Sequence, residues 1–251
     1  KEKCLEKLNG MFAFAVWDNI EKTLFIARDR LGEKPLKYYC DENKFIFASE
    51  IKVILQDRAI KKEVDWQAVD VALNFRYVPA PYTGFKNIFK LAAGHYLIYK
   101  EGNVSVKKYW DLSNVNVDNG KSPKEIEKEV WEIFKDSVNK RLISDVPIGA
   151  FLSGGLDSTS VISALKETGH SKIDTFVISI GGVSNDQTYA KLAADYFGTN
   201  HHEIELKDID YLKALDKLAF YYDEPFFDQS ALPGMLISEQ VKKYATVVLS
   251  G

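Results

Sequence analysis

The sequence predicts two domains of different class, a β-rich α+β domain followed by an α/β domain with a parallel sheet. The chain has 251 residues, which is enough for two ordinary domains. Its first ~110 residues form short apolar or alternating runs between turn signals, whereas the remainder alternates strand-like and helix-like patterns. A polar, turn-rich stretch at 111–122 (DLSNVNVDNGKS) separates the two patterns. We therefore predict a first domain at 1–112, a linker at 113–121 and a second domain at 122–251.

The first domain is predicted to be built from short strands. The run 11–17 (MFAFAVW) is apolar at every position, as expected of a strand buried on both faces. The run 23–27 follows it after a polar turn, which indicates a hairpin. Further strands are predicted at 45–48 and 96–99. The stretch 64–74 has helical spacing, while the prolines and the glycine of 77–84 predict irregular structure there.

The second domain is predicted to alternate helices and strands. Ser122 followed by Pro123 is typical of a helix N-terminus, and the helical pattern continues to residue 142. Further strands are predicted at 148–152, 174–180, 203–206 and 246–249. Further helices are predicted at 156–168, 187–197, 209–221 and 232–243. Such alternation is typical of a parallel sheet with right-handed crossover connections.

The composition excludes several classes of function. A hydrophobic fraction of 46% and a charged fraction of 27% are typical of a soluble globular protein. The net charge of −3 provides no broad basic field, so we expect no nucleic-acid and no membrane partner. No apolar run approaches the roughly 20 residues that span a bilayer, and the charged start (KEKCLEKL) is unlike a signal peptide.

The cysteines and the chain ends complete this picture. Cys4 and Cys40 form neither a disulfide framework nor a metal-binding pattern, and each is expected to be a small core or surface residue. Without a secretion signal, a cytoplasmic location is expected. The chain starts at Lys1 and stops at Gly251 directly after an apolar run, so we expect it to be a piece of a longer protein.

The strongest chemical signal is the run 153–158 (SGGLDS), which lies between a predicted strand and a predicted helix. Ligands of such α/β folds bind at this end of the strands. Gly154 and Gly155 let the backbone turn tightly and bring bare N–H groups close to an anion, and the following helix directs its positive end to the same place. The hydroxyls of this region add donors. A phosphate chain would repel Asp157, so its carboxylate is best explained as a ligand of Mg²⁺.

The alternative for this run is a Gly-Gly turn with ordinary capping residues, which the complete S-G-G-x-D-S pattern disfavours. The run is not a Walker A loop, because the GxxxxGK[ST] spacing and its lysine are absent. It is not a GxGxxG dinucleotide fingerprint either. It resembles the PP-loop of the N-type ATP pyrophosphatases, which cleave ATP between the α and β phosphates.

The regions around the loop resemble the glutamine-hydrolysing asparagine synthetases. In the second domain the resemblance lies at 141–152 (RLISDVPIGAFL), 198–203 (GTNHHE), 223–233 (DEPFFDQSALP) and 247–251 (VVLSG). In the first domain, the runs that resemble the latter half of a class II, Ntn-type glutaminase domain and its exit lie at 10–15 (GMFAFA), 27–36 (ARDRLGEKPL), 47–52 (FASEIK) and 76–81 (RYVPAP). The resemblance covers nearly the whole chain. It implies a truncated glutaminase domain followed by a PP-loop domain of HUP, or Rossmann-like, type that is truncated at its C-terminus.

The resemblance also implies a set of site residues. Leu152 and Ile178 would flank the adenosine, with Ser250 and Gly251 contributing from the tip of the last strand. The pyrophosphate of ATP and its Mg²⁺ would be held by Ser153, Gly154, Gly155, Asp157 and Ser158. The candidates for the aspartate pocket are Asp223, Glu224 and Asp228. A carboxylate substrate would more naturally meet a cation, and a polar helix end is the alternative for the first two acids.

The residues that perform covalent chemistry in this family are expected to lie outside the chain. A class II glutaminase uses the α-amino group and the thiol of an N-terminal cysteine, whereas this chain begins at Lys1 and Cys4 is internal. The acidic continuation after 247–251 is also absent, and with it a catalytic glutamate and a further Mg²⁺-binding aspartate. The polypeptide as it stands is therefore expected to hydrolyse no glutamine and to leave the synthetase reaction incomplete.

For the parent enzyme, the resemblance implies the synthesis of asparagine, AMP and pyrophosphate from aspartate, ATP and glutamine-derived ammonia. The reaction would pass through β-aspartyl-AMP. One alternative is a related amidotransferase or β-lactam-synthetase-like enzyme that adenylates a different carboxylate. A second alternative is a non-catalytic, nucleotide-binding remnant. A homodimer is one possible assembly.

Several other conspicuous side chains are predicted to be structural. Adjacent His201 and His202 would face opposite sides of a strand, so they cannot chelate one metal together, and polar structural contacts are expected. The run 28–30 (RDR) is expected to form an ion-pair network at a turn. The aromatic pair 226–227 is expected to pack in a core.

Overall fold

The chain folds into two compact units. Unit 1 comprises Lys1–Val117 together with Ala219–Asp228, and unit 2 comprises Asp118–Leu218 together with Gln229–Gly251. The computed structural model describes residues 1–115, 117, 120–170, 172–180, 185–207 and 209–251. Positions 116, 118 and 119 of the predicted linker lie outside the described residues. Within the described ranges, no helix combines the length and the apolar character that crossing a bilayer requires.

Unit 1 consists mainly of antiparallel strands. In chain order its elements are β1 (Ala13–Asp18), β2 (Thr23–Arg28), β3 (Lys37–Cys40), β4 (Phe45–Ala48), α1 (Ile51–Ile54), α2 (Trp66–Phe75), β5 (Ile88–Lys90), β6 (His95–Lys100) and β7 (Asn103–Lys108). They form two sheets with the orders β1-β2-β6-β7 and β4-β3-β5. Alternation along β2 places Phe25 and Ala27 in one apolar cluster and Ile26 in another, so both faces of this strand are packed.

Several predictions for unit 1 are confirmed. The hairpin between β1 and β2 is present, and α2 forms where helical spacing predicted it. Asp65 is the N-cap of α2, because its carboxylate accepts hydrogen bonds from the backbone N–H groups of Gln67 and Ala68. The stretch 77–84 contains no helix and no extended strand, as its prolines predicted.

The prediction that the strand at 11–17 is buried on both faces is wrong. β1 lies at the edge of its sheet, and the side chains of Val16 and Trp17 are 51% and 53% exposed. A continuous apolar run lacks the apolar–polar alternation that would reveal an exposed face. The sequence therefore does not show whether the strand lies in the centre or at the edge of its sheet. Strands β3, β5 and β7 were not predicted. They are short, or they carry polar residues, as in β7 (NVSVKK).

Unit 2 has a parallel sheet covered by helices. In chain order its elements are α3 (Pro123–Lys140), β8 (Ile148–Phe151), α4 (Leu156–Glu167), β9 (Asp174–Ile180), α5 (Asn185–Phe197), β10 (Asn200–Leu206), α6 (Tyr211–Tyr222), α7 (Ala231–Val241) and β11 (Val247–Leu249). The strand order is β10-β9-β8-β11, and every pairing is parallel, as predicted. The last residues of α6, 219–222, are counted in unit 1.

Helices cover both faces of this sheet. On one face, Val138 of α3 and Leu165 of α4 belong to the same buried cluster as Val177 of β9. On the other face, Phe176 of β9 packs with Ile237 and other residues of α7. α3 starts with a capping box, in which Ser122 and Glu125 satisfy each other's backbone N–H groups. The start of β10 at Asn200 precedes the predicted start at 203.

Candidate functional site

The run SGGLDS lies at the carboxyl end of β8 and opens helix α4, as its pattern predicted. β8 is a central strand between β9 and β11, and the chain beyond β11 reaches the same edge of the parallel sheet. Ligand sites of α/β folds lie at this edge, because the connecting loops leave a crevice there. The loop therefore occupies the position in unit 2 where a ligand site is expected.

Side-chain hydroxyls shape this loop from within. Ser158 Oγ accepts a hydrogen bond from the backbone N–H of Ser153 at 3.3 Å and lies 3.1 Å from Ser153 Oγ. Ser158 Oγ also donates to the carbonyl of Gly155 at 3.3 Å. Ser158 is itself buried. The first turn of α4 is thereby tied back to the end of β8.

Gly154 has a conformation and a packing environment that exclude a side chain. Its φ is +76°, in the left-handed region that favours glycine. A Cβ atom at this position would lie 2.4 Å from the backbone carbon of Tyr189 and 2.5 Å from the backbone nitrogen of Ala190. The loop consequently packs directly on the backbone of α5.

The loop presents main-chain donors without acceptors. Among the hydrogen bonds of the described residues, none is donated by the backbone N–H of Gly154, Leu156, Asp157 or Ser158. Unpaired N–H groups at a helix N-terminus attract anions, and the helix dipole adds to this attraction. In the first turn of α4, Thr159 Oγ1 is buried and has no hydrogen-bond partner. A phosphate group at the loop would satisfy such donors, so these residues fit ATP.

Asp157 is the acid of the loop, and its side chain is exposed in the first turn of α4. Among the described residues there is no group of three or more His, Cys, Asp or Glu side chains that could hold a metal ion. Mg²⁺ commonly uses one or two protein carboxylates and completes its shell with phosphate oxygens and water. One carboxylate beside a phosphate site fits that mode of binding.

A cavity of about 700 Å³ adjoins the loop. The apolar side chains of α3 form one wall, and the first turn of α4 forms another. It is lined by Glu127, Val130, Trp131, Phe134, Leu156, Asp157, Ser160, Val161, Ser250 and Gly251. Its volume and its mixture of apolar walls with a few polar groups are typical of small-molecule sites. The sequence did not predict that α3 contributes to this cavity, because an apolar stripe on a helix is equally consistent with packing in the core.

Leu152 and Ile178 point into different parts of unit 2. Leu152 is fully buried and packs in the cluster beneath α3 and α4. Ile178 is half-buried and packs with Phe151 and Val248 in the cluster beneath α7. A contact between Leu152 and adenosine would therefore come from the main chain of Leu152. That Leu152 and Ile178 flank the adenosine stays a prediction.

Asp223 and Glu224 belong to unit 1, whereas the loop belongs to unit 2. Asp223 Oδ1 lies 2.9 Å from Lys52 Nζ, and its Oδ2 accepts a hydrogen bond from the backbone N–H of Ile51 at 2.7 Å. Glu224 pairs with Lys90. Asp228 is exposed at the end of the same segment. The assignment of these three acids to a substrate pocket stays a prediction.

The two histidines face opposite sides of β10, as predicted. His201 Nδ1 lies 2.9 Å from Thr175 Oγ1, and burial holds the pKa of His201 below its ordinary value. His202 Nε2 lies 2.8 Å from Asp174 Oδ1, and its ring stacks on Phe176. Both side chains make structural polar contacts.

The run 28–30 has a structural role, but the predicted ion-pair network is wrong. The guanidinium of Arg28 donates to the carbonyls of Lys34, Leu91 and Gly32. Asp29 is buried and accepts from the backbone N–H groups of Phe12, Glu33 and Lys34. Main-chain groups, which the spacing of charged residues does not reveal, are therefore the partners.

The aromatic and cysteine predictions have different outcomes. Phe226 and Phe227 are 38% and 46% exposed, so the prediction of core packing is wrong. Phe226 instead stacks on Tyr222 at the surface, with 4.7 Å between the ring centroids. Cys4 is exposed and Cys40 half-buried, and both thiols are free, as expected.

Two family models match the chain. The model described as glutamine amidotransferase domain matches residues 1–110. The model described as asparagine synthase matches residues 129–251 and includes the loop. The two matches follow each other in the order that the sequence predicted.

Named relatives match over nearly the whole chain. A Methanocaldococcus jannaschii protein assigned to the glutamine-hydrolysing asparagine synthetases is 41% identical, over 99% of this chain and 49% of that protein. Glutamine-hydrolysing asparagine synthetases 1 and 3 of Bacillus subtilis are 33% and 32% identical over 100% of this chain, and the matches cover 39% and 43% of those proteins. The chain thus spans about half, or less, of the length of these relatives. Both family matches and the relatives agree, and the chain belongs to the family of glutamine-hydrolysing asparagine synthetases.

Proposed function

We propose that the whole protein converts aspartate, ATP and glutamine-derived ammonia into asparagine, AMP and pyrophosphate. The observation that carries this proposal is the loop 153–158, whose unpaired N–H groups open helix α4 at the carboxyl end of the parallel sheet. In this proposal unit 2 has the PP-loop ATP pyrophosphatase fold and unit 1 has the latter half of an Ntn-type glutaminase fold.

The first proposed step activates the substrate. An oxygen of the β-carboxylate of aspartate attacks the α-phosphorus of ATP, the bond between the α-phosphorus and the bridging oxygen breaks, and pyrophosphate leaves with that electron pair. The product is β-aspartyl-AMP. Negative charge grows on the leaving pyrophosphate, so donors that are already oriented towards it lower the barrier.

The residues of this chain bind and orient ATP in this step. Ser153, Gly154, Gly155 and Ser158 hold the pyrophosphate moiety, while the adenosine lies near the main chain of Leu152, near Ile178 and near Ser250 and Gly251. Asp157 would hold Mg²⁺, which would supply positive charge beside the leaving pyrophosphate. Positioning therefore makes the larger contribution to catalysis from this chain.

The second proposed step forms the amide. Ammonia attacks the acyl carbon of β-aspartyl-AMP, the bond from that carbon to the phosphate oxygen breaks, and AMP leaves while the nitrogen loses a proton. The glutaminase half of the whole protein supplies the ammonia from glutamine.

Three further assignments complete the proposal. Asp223, Glu224 and Asp228 stay candidates for the aspartate pocket. The whole protein is expected in the cytoplasm. A homodimer is a candidate assembly.

Carboxylate-dependent exchange of labelled pyrophosphate into ATP, measured on the full-length protein with Mg²⁺, tests this proposal. We expect aspartate to stimulate the exchange and glutamate, β-alanine and N-substituted amino acids to leave it at background. Exchange with another carboxylate alone would move the protein to the amidotransferase or β-lactam-synthetase-like enzymes. No exchange with any carboxylate, from folded protein that binds ATP, would favour the non-catalytic remnant.

A further inference from the structure

The segment 219–228 matches the synthetase family in sequence but folds with the glutaminase-like unit in the structure. It lies inside the asparagine synthase match at 129–251. Yet it folds as part of unit 1, whose remaining residues, Lys1–Val117, contain the glutamine amidotransferase match. The chain therefore enters unit 1 a second time at Ala219 and leaves it after Asp228. Specific contacts are needed to hold this segment in unit 1.

Asp223 supplies the first of these contacts. Its side chain is only 7% exposed. One carboxylate oxygen accepts the backbone N–H of Ile51 at the start of α1, and the other pairs with Lys52. The φ of Asp223 is +65°, a left-handed conformation that aspartate and asparagine adopt more readily than most other residues. Asp223 thus turns the chain and caps a helix that lies 172 positions earlier in the sequence.

Glu224 supplies a second, independent contact. Its Oε1 pairs with Lys90 Nζ at 2.5 Å, and both side chains are only 14% exposed. Its Oε2 accepts a hydrogen bond from the backbone N–H of Gly84 at 3.2 Å. Lys90 also donates to the carbonyl of Val78, so this ammonium is bound on two sides. The carboxylate fastens the segment to the irregular stretch 77–84.

Main-chain hydrogen bonding extends the same attachment. The backbone N–H of Phe227 donates to the carbonyl of Arg76 at 2.9 Å. Tyr77 and Phe226 form an isolated antiparallel bridge. Residues 226–227 thus pair with 76–77 through their main chains, and amide exchange can follow this contact directly.

The charge pairs differ from ordinary surface pairs because they are shielded from water. Lys52 is 22% exposed, whereas the partners of the pair Lys86–Glu63 are 49% and 55% exposed. Although burial lowers it, hydrogen bonds to Glu50 and Asp223 leave the pKa of Lys52 above its ordinary value. A shielded carboxylate that loses its partner is left with an uncompensated charge, whereas an exposed pair contributes little.

We propose that residues 219–228 are a strap that fastens synthetase-family sequence to unit 1, and that Lys52 and Lys90 are its positioning residues. The strap couples the glutaminase reaction to the synthetase reaction. This second statement rests on the proposed function, whereas the fastening itself does not. In this proposal Asp223 and Glu224 are anchors of the strap, which is an alternative to their assignment to the aspartate pocket.

The fastening is tested by amide hydrogen exchange on the full-length protein. The variants are Lys52→Met, Lys90→Met and the double variant, with Lys86→Met as the matched control at an exposed pair. In the double variant, we expect the amides of Ile51 and Phe227 to exchange about tenfold faster, or more, than in the wild type. In Lys52→Arg, which keeps the positive charge, we expect these exchange rates to stay close to those of the wild type. Amides paired between β2 and β6 should keep their protection, which shows that unit 1 is still folded.

An unchanged exchange rate of Ile51 and Phe227 in the folded double variant would overturn the strap. The functional part is tested by comparing asparagine formation driven by glutamine with that driven by added ammonia. We expect Lys52→Met to lower the glutamine-driven rate several-fold relative to the ammonia-driven rate, at an unchanged KM for aspartate. A raised KM for aspartate with both rates falling together would instead assign the acids to the substrate pocket. If the wild type shows no aspartate-dependent exchange of pyrophosphate, the proposed function fails, and amide exchange still decides the strap.

Discussion

The backbone of Gly251 lies against the first turn of α4, so closely that a Cβ atom there would stand 2.4 Å from the backbone nitrogen of Ser158. The two residues are far apart in the sequence, and the parallel pairing of β11 with β8 brings them together. Because Ser158 also shapes the loop 153–158, the residues that follow β11 adjoin this loop at the candidate site.

A methyl group at Gly251 should disturb the site. In the full-length protein, we expect Gly251→Ala to weaken ATP binding about tenfold or more, because the added Cβ meets backbone atoms that cannot move independently. The measurement is ATP titration by calorimetry. Gly234→Ala is the control, since a Cβ at Gly234 has no atom within 4 Å. Equal affinities in the two variants would contradict the contact.

Gly154 should tolerate substitution far less well than Gly198. Both have positive φ, +76° and +61°, so alanine carries a similar conformational cost of roughly 1–2 kcal/mol at either position. Only Gly154 adds a collision with the backbone of α5. We expect Gly154→Ala to lower the free energy of unfolding by about 3 kcal/mol or more, as measured by urea denaturation. Equal losses in the two variants would show that the collision is relieved.

Asp157→Asn should raise the Mg²⁺ requirement of pyrophosphate exchange. The amide keeps the size of the side chain but provides a weaker ligand for a hard divalent cation. We expect the Mg²⁺ concentration at half-maximal exchange to increase about tenfold, with the protein still folded. Asp136→Asn, which changes an exposed carboxylate of α3, should leave the Mg²⁺ dependence unaltered. A change in the KM for the carboxylate substrate alone would remove Asp157 from metal binding.

The buried carboxylate of Asp29 should make unit 1 sensitive to acid. Burial acts to raise its pKa, but hydrogen bonds from backbone N–H groups, including those of Lys34 and Glu33, outweigh this and leave the pKa below its ordinary value. The stability gained from this carboxylate is therefore fully present above the ordinary aspartate pKa. It is lost as the pH falls through the folded-state pKa, because the unfolded chain binds the proton first.

Urea denaturation between pH 3 and pH 7 measures this effect. At neutral pH we expect Asp29→Asn to reduce the free energy of unfolding by about 2 kcal/mol, since an amide group cannot accept all of these hydrogen bonds. The difference between variant and wild type should shrink towards pH 3. A difference that stays constant across this range would show that the carboxylate is not the cause. Asp41→Asn, at a more accessible carboxylate of the same unit, should have a smaller effect.

The sequence predicted the architecture of unit 2 better than that of unit 1. Its elements are long and strongly periodic, and the capping residues Ser122 and Pro123 mark the start of α3. In unit 1, the strand β7 is rich in polar residues, and the exposure of β1 depends on its place at the edge of the sheet. Such features are decided by tertiary neighbours, which local patterns do not report.

The candidate site was predictable where its chemistry is local. The SGGLDS run contains the glycines, the hydroxyls and the acid within one turn and one helix start, so the pattern itself indicates an anion site. The location of Asp223 was not predictable, because its partners at Ile51 and Lys52 lie 172 and 171 positions away along the chain. Its φ of +65° also has no signature in the sequence.

We propose that the loop at 153–158 serves the attack of a carboxylate on the α-phosphorus of ATP. Isotope transfer in the full-length protein tests it most directly, with aspartate labelled by ¹⁸O in its β-carboxylate. We expect one labelled oxygen to appear in AMP for each asparagine formed, and we expect Ser158→Ala to slow this transfer without changing the product. Label in inorganic phosphate together with ADP, or AMP formed without label, would contradict it.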